Sequence, residues 1–188
     1  MRLFLLLLLL LCACDDGGPA PRTGTDQPAW SGPKASAELP AGRLDRSHAG
    51  KAAPDGAFED PDGGQVSLSD FRGRPLLVNL WATWCAPCVI EMPTLDALAV
   101  REDGRVQVLA ISQDDGPAKV DTFFAERRFA ALEPYRDSSL GLMAKLGVKD
   151  LPTTILFDAE GREVWRMMGI ADWESPESAA LIEEASAS

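Results

Sequence analysis

Residues 76–98, LLVNLWATWCAPCVIEMPTLDAL, constrain this chain more than any other stretch, because an apolar strand runs straight into a Cys-x-x-Cys at the start of a helix. Residues 76–82 are a continuous, β-rich apolar run, the pattern of a strand buried on both faces of a mixed sheet. From 85 to about 100 the apolar residues Val89, Met92, Leu95, Leu98 and Ala99 recur at helical spacing, which places Cys85 at or just before the first turn. Its sulfur then faces unpaired backbone N–H groups and the positive end of the helix dipole, which stabilise a thiolate. Cys88 falls one turn further on, on the same side, close enough to close a small disulfide ring. The spacing predicts a redox site.

Four cysteines could suggest a disulfide framework, but Cys12 and Cys14 fall in an N-terminal leader and leave Cys85 and Cys88 as the free pair. In an oxidising compartment a lone Cys-x-x-Cys is more plausibly catalytic than structural. Half of a zinc site is the other reading of such a pair. It needs a second Cys or His pair, and the chain has a single histidine, His48, in a polar stretch. The sequence therefore predicts no metal and no cofactor. The charge balance, 18 Lys and Arg against 29 Asp and Glu for a net −11, argues against a nucleic-acid partner.

Met1-Arg2 followed by the apolar run 3–11 reads as a secretory signal, too short to span a bilayer in the usual way. The run ends in Leu11-Cys12-Ala13-Cys14, which resembles a bacterial lipobox, so Cys14 is expected to be the lipidated first residue of the mature chain. Asp15 resembles the signal that retains some lipoproteins at the inner membrane. An uncleaved or differently cleaved leader is the alternative, and either leaves the domain exported. Residues 15 to about 54 are rich in Gly, Pro, Ala, Ser and Asp and read as a flexible tether, in which only 39–44 could fold back. The expected organisation is a leader over 1–13, a tether over 14–53 and one α/β domain over 54–188.

Within that domain, Asp60-Pro61-Asp62-Gly63-Gly64 is a turn signal between two short extended pieces, an N-terminal β-hairpin over 58–68. Residues 106–112 read as a second buried strand and 117–128 as a helix with Pro117 in its first turn. Strand, helix, strand, helix implies parallel pairing. Residues 138–146 read as a short helix closed by Gly147. Strands over 153–157 and 163–168 form a hairpin at Asp158-Ala159-Glu160-Gly161. The last helix starts at Ser175-Pro176 and is expected to turn Ala180, Leu181 and Ile182 toward the sheet.

With Trp81-Ala82-Thr83-Trp84-Cys85-Ala86-Pro87-Cys88 in place, the chain resembles thioredoxin-fold proteins of the TlpA/ResA class, membrane-anchored periplasmic thiol-disulfide reductases. The likeness extends to LSDFRGRPLLVNLWATWC, Glu91-Met92-Pro93, Gly147-Val148, Leu151-Pro152-Thr153-Thr154 and the 158–161 turn. Gly169-Ile170-Ala171-Asp172-Trp173 resembles TlpA itself more than its cousins. The resemblance covers 58–182 and implies a central mixed sheet flanked by helices. One departure is the lack of the second, structural cysteine pair that some TlpA-type proteins carry. Another is Ala-Pro between the cysteines in place of the Gly-Pro of general thioredoxins.

The resemblance also implies roles. The proline matching Pro152 is cis in this fold and lies against the cysteine pair, so Leu151 would offer its backbone edge to a client peptide. Trp84, next to the nucleophile, is placed to shield it and meet substrates. Trp81 reads as core. Glu91 follows Cys88 by three residues on the same helical face, and Asn79 stands where thioredoxins bury an aspartate. Glu91 is therefore expected to handle the proton, provided burial raises its pKa; otherwise it is a solvated helix glutamate.

The expected mechanism has Cys85 attack a client disulfide and Cys88 resolve the mixed disulfide. Re-reduction would come from a membrane thiol carrier. By resemblance, the clients are cysteine pairs in cytochrome oxidase copper-site assembly proteins, or alternatively apocytochrome c. A redoxin-type thiol peroxidase is a rival, although Thr83-Trp84-Cys85 has the wrong spacing for a peroxidatic Thr-x-x-Cys loop. A Sco-like copper module would need a Cys-x-x-x-Cys and a distal histidine.

Overall fold

The computed structural model describes residues 42–186. The leader with its Cys14, and the tether up to residue 41, lie outside the described residues. The chain runs β1 (Arg43–Asp45), β2 (Ala57–Glu59), β3 (Gln65–Ser67), a 3-10 turn over Leu68–Phe71, β4 (Leu76–Trp81), α1 (Ala86–Arg101), β5 (Gln107–Ser112), α2 (Pro117–Arg127), β6 (Tyr135–Arg136), α3 (Gly141–Lys145), β7 (Thr153–Phe157), β8 (Glu163–Met168) and α4 (Pro176–Glu183). Among the described residues these strands form one mixed sheet in the order β1-β8-β7-β4-β5-β6-β2-β3. No described helix is long and apolar enough to cross a membrane.

All six residues of β4 are buried, because it pairs parallel with β5 on one side and antiparallel with β7 on the other while both of its faces are covered. Successive side chains of a strand point to opposite faces. Leu77 and Trp81 meet Met92, Leu95 and Leu98 of α1 and Ile182 of α4. Leu76, Val78 and Leu80 meet Phe58, Leu142 and Phe157 on the other face. The same alternation puts Asn79 on the α1 side, between Leu77 and Trp81. Each of these fully buried aliphatic side chains contributes about 1.5–3 kcal/mol of burial, so the strand that ends at the redox loop is among the best-anchored parts of the fold.

The hairpins β2–β3 and β7–β8 and the helices α1 and α2 stand where the sequence places them. Four details differ. Residues 42–53, assigned by composition to the tether, lie on the sheet: β1 pairs antiparallel with β8, and Ala52 bridges Arg162. The outer edge of β8 offers unpaired backbone groups there, and pairing needs no apolar pattern in the added strand. β6 is only two residues long and escaped detection. Its buried Arg136 holds it through Glu59 and Asp121. The short helix α3 begins at Gly141 rather than near Ser138, because the buried Asp137 carboxylate accepts from the N–H groups of Gly141 and Met143. In α4, Ile182 is buried and Leu181 half-buried as expected, but Ala180 is exposed and Ser178 takes the inward position, its hydroxyl bonded to Asp172 O.

Candidate active site

β4 ends at Trp81, and the chain turns through Ala82-Thr83-Trp84 into α1 with Cys85 as its N-cap. Three contacts shape that turn. Cys85 N–H donates to Ala82 O at 3.1 Å, Gln113 N–H donates to Trp81 O at 2.8 Å, and Thr83 is gripped by Asp114. The Asp114 carboxylate accepts from Thr83 N at 2.8 Å, from Thr83 Oγ1 at 2.7 Å and from Ser112 Oγ at 2.7 Å. β4 and β5 are parallel neighbours, so their C-terminal ends lie side by side and a carboxylate just past β5 reaches the loop just past β4. Sequence reading missed Asp114. A short acid two residues beyond a buried strand, opposite a redox loop, was the available signal.

Cys85 and Cys88 are joined as a disulfide. Cys88 N–H donates to Cys85 Sγ at 3.4 Å, so the helix-end donor predicted for the first sulfur is in place. Exposure separates the two residues. Cys85 retains 6% of its surface, whereas Cys88 has none. Trp84, beside the outer cysteine, is 67% exposed and free of the core, while Trp81 is fully buried. The Leu151–Pro152 bond is cis. Leu151 is half-buried and packs against both core clusters, and Pro152 is buried immediately before β7.

Glu91 is buried among apolar neighbours rather than solvated. Its side chain is 0% exposed, one turn deeper than Cys88 on α1. Asn79 Nδ2 donates to Glu91 Oε1 at 2.7 Å, and the Ala171 N–H donates to Glu91 Oε2 at 3.0 Å. Asn79 Nδ2 also donates to Thr154 Oγ1 at 2.9 Å, across the β4–β7 pair in which the two residues stand opposite. Asn79 Oδ1 has no hydrogen-bond partner among the described residues. The segment after β8 closes over this group, with Trp173 N–H donating to Thr94 Oγ1 at 3.3 Å.

Burial dominates the proton affinity of Glu91. Desolvation pushes its pKa up from 4.5 to about 7, against the opposing pull of the Ala171 N–H, the Asn79 amide and the nearby Trp173 indole. A carboxyl poised near neutral pH can both take and give a proton, which is what a thiol waiting to become a nucleophile needs from a neighbour. Asn79 supplies donors without a charge. A buried acid at that position would sit against Glu91 as a second negative charge.

Residues 48–182 match the family described as Redoxin. The chain is 34% identical over 114 residues to the thiol-disulfide oxidoreductase ResA of Geobacillus thermodenitrificans, covering 60% of this chain and 65% of that protein. It is 32% identical over 123 residues to the ResA of Bacillus thuringiensis, covering 64% and 69%. It thus spans about two thirds of the length of these curated relatives. Among solved structures, a candidate DsbE thiol:disulfide interchange protein from Chlorobium tepidum superposes with a TM-score of 0.65 at 27% identity, over 73% of this chain and 96% of that one. Fold, cysteine spacing and relatives agree: the chain belongs to the redoxin family, as a thioredoxin-fold, TlpA/ResA-like thiol-disulfide oxidoreductase.

Proposed function

We propose that this oxidoreductase works as a reductase of cysteine pairs in client proteins, exported and held at the outer face of the inner membrane by a lipid on Cys14. The reaction starts from the dithiol. The Cys85 thiolate attacks one sulfur of the client disulfide, forming a Cys85–client disulfide and releasing a client thiolate that takes up a proton. Cys88 passes its proton to Glu91, and its thiolate attacks Cys85 Sγ. The second client sulfur leaves as a thiolate, and the Cys85–Cys88 disulfide closes. Two electrons pass to the client, and a membrane thiol carrier restores the dithiol.

The observation that carries this reading is the pairing of an inaccessible resolving sulfur with a buried carboxyl one turn away, poised near pH 7. Leu151, Pro152 and Trp84 form the client-facing side in this reading, Leu151 through its backbone edge beside Pro152 and Trp84 through its exposed ring. The direction of flow rests on Ala86-Pro87, which puts no charge between the cysteines to over-stabilise the thiolate. A potential more negative than about −180 mV is expected, well away from the roughly −120 mV of a strong periplasmic oxidant. The TlpA-like segment 169–173 supports copper-site assembly proteins of cytochrome oxidase as the clients, ahead of apocytochrome c.

Equilibration of the protein with glutathione, read by thiol alkylation, measures the potential; a value at the oxidant end overturns the reductase direction. A Cys88→Ser chain should trap clients as mixed disulfides through Cys85, and the trapped proteins decide between copper-site and cytochrome c partners. Trapping through Cys88 in Cys85→Ser would reverse the two roles. Rapid turnover of hydrogen peroxide would instead support the peroxidase. Processing of the wild-type chain unchanged by globomycin, with no acyl label on it, would remove the lipid anchor.

A further inference from the structure

The peptide unit between Ile170 and Ala171 makes two hydrogen bonds at once. Its N–H, on Ala171, donates to Glu91 Oε2 at 3.0 Å, while its carbonyl, on Ile170, accepts from the Gly42 backbone N–H at 2.8 Å. Gly42 immediately precedes β1, the strand added to the edge of β8. Its seat is very close: a Cβ there would lie 2.8 Å from Met167 Sδ, 2.9 Å from Ile170 O and 3.0 Å from Gly169 O. Two of those three atoms are backbone and cannot swing aside. The strap is fixed behind Gly42 by the pairing of Arg43, Leu44 and Asp45 with Met168, Met167 and Arg166, and by the Arg46–Glu184 ion pair.

Hydrogen bonds in series polarise one another, since a carbonyl that accepts makes its own peptide N–H a stronger donor. We infer that the strap belongs to the active site, with Gly42 as a positioning residue whose backbone N–H acts through the Ile170–Ala171 peptide to steady the carboxylate form of Glu91. The inference rests on the proposed role of Glu91 as proton acceptor and deepens it. The relay is one of few influences on that carboxyl. The groups around it are Cys88 one turn back on α1, Asn79 on β4, itself bonded to Thr154 on β7, and the Ala171 N–H and Trp173 indole beyond β8. No charged side chain is among the groups that set its proton affinity. Asp172, in the same segment, is exposed and accepts from Glu174 N–H instead. With the relay cut, Glu91 holds its proton to higher pH and accepts one from Cys88 less readily at neutral pH.

The test uses the full chain with Gly42→Pro, which removes the N–H, and Gly42→Ala, which forces the strap away from residues 169–170. A 13C titration of the Glu91 carboxyl in the oxidised protein should shift upward by about half a pH unit or more in both variants. The pH midpoint of the Cys88-dependent resolution step should move the same way, with no further movement when either variant is combined with Glu91→Gln. A wild-type carboxyl titration in folded Gly42 variants overturns the relay. Hydrogen exchange in the wild-type protein gives a second check that needs no variant. The Gly42 and Ala171 amides must be protected together, and a Gly42 amide exchanging at the rate of an unfolded chain also overturns it. A Glu91→Gln chain with the wild-type pH profile overturns the proton-acceptor role itself, while the carboxyl titration still reports on the relay.

Discussion

Asp114 and Glu91 are both buried acids close to the cysteine pair, and they are held in opposite ways. Asp114 takes three donors, all from Thr83 and Ser112 at the place where β4 and β5 end together. Glu91 takes two, one from Asn79 on β4 and one from Ala171, 80 residues further along the chain. The first carboxylate is a brace: its donors are loop atoms, and satisfying them fixes the path of Thr83-Trp84-Cys85. At the second, burial outruns the donors and the carboxyl is pushed up to about 7. A buried acid with a full set of local donors shapes the chain, whereas one short of donors is left able to do chemistry.

The sharpest way to break that contrast is Asp114→Ala. It leaves the Thr83 N–H and the Ser112 hydroxyl buried without their acceptor, and should cost about 4 kcal/mol in chemical denaturation. Loss of less than about 1 kcal/mol would show that the brace carries little. Glu91→Gln should behave differently. The folded-state value near 7 lies above the unfolded 4.5, so folding favours the protonated form. That contribution is fully present below about pH 4.5 and is lost as pH rises through 7, amounting to about 3 kcal/mol. Oxidised wild type should therefore lose stability between pH 4.5 and 7 while the Gln variant shows a flatter profile. Parallel profiles for the two proteins would contradict the raised value.

Thr83→Val removes one of the three donors to Asp114 and keeps the shape, so a cost of about 1 kcal/mol is expected by thermal unfolding. Smallest is Trp84→Ala. The ring is exposed and touches neither carboxylate network, so stability should change by no more than about 0.5 kcal/mol. Exchange with client disulfides should slow all the same, and an unchanged rate would remove Trp84 from the client-facing side.

This contrast also marks what the sequence makes legible. The strand, the cysteine spacing and the depth of Glu91 in α1 all follow from periodicity within some twenty residues, and Asn79 is readable because period two puts it on the helix-facing side of β4. Asp114 is, in the sequence, one more acid in a polar loop, since its bracing contacts depend on two strands ending side by side. The Ala171 donor and the β1 strap are hidden for the same reason. They reach Glu91 by backbone groups, and a backbone N–H has no letter in a sequence. β6 is too short to show a period, and Ala180 lost its place on α4 because Ser178 could bond Asp172 O.

The unequal exposure of the two sulfurs has a kinetic consequence. Cys88 is sealed and Cys85 offers only a sliver of surface, so any two partners that exchange electrons with this pair must both react at the same sulfur. They cannot be aboard together. One partner has to leave before the other arrives, which is the condition for a double-displacement cycle with parallel reciprocal plots. A large excess of either partner should then slow turnover by occupying the single doorway. Partners that oxidise the pair and partners that reduce it would then queue at one atom rather than use a second binding site.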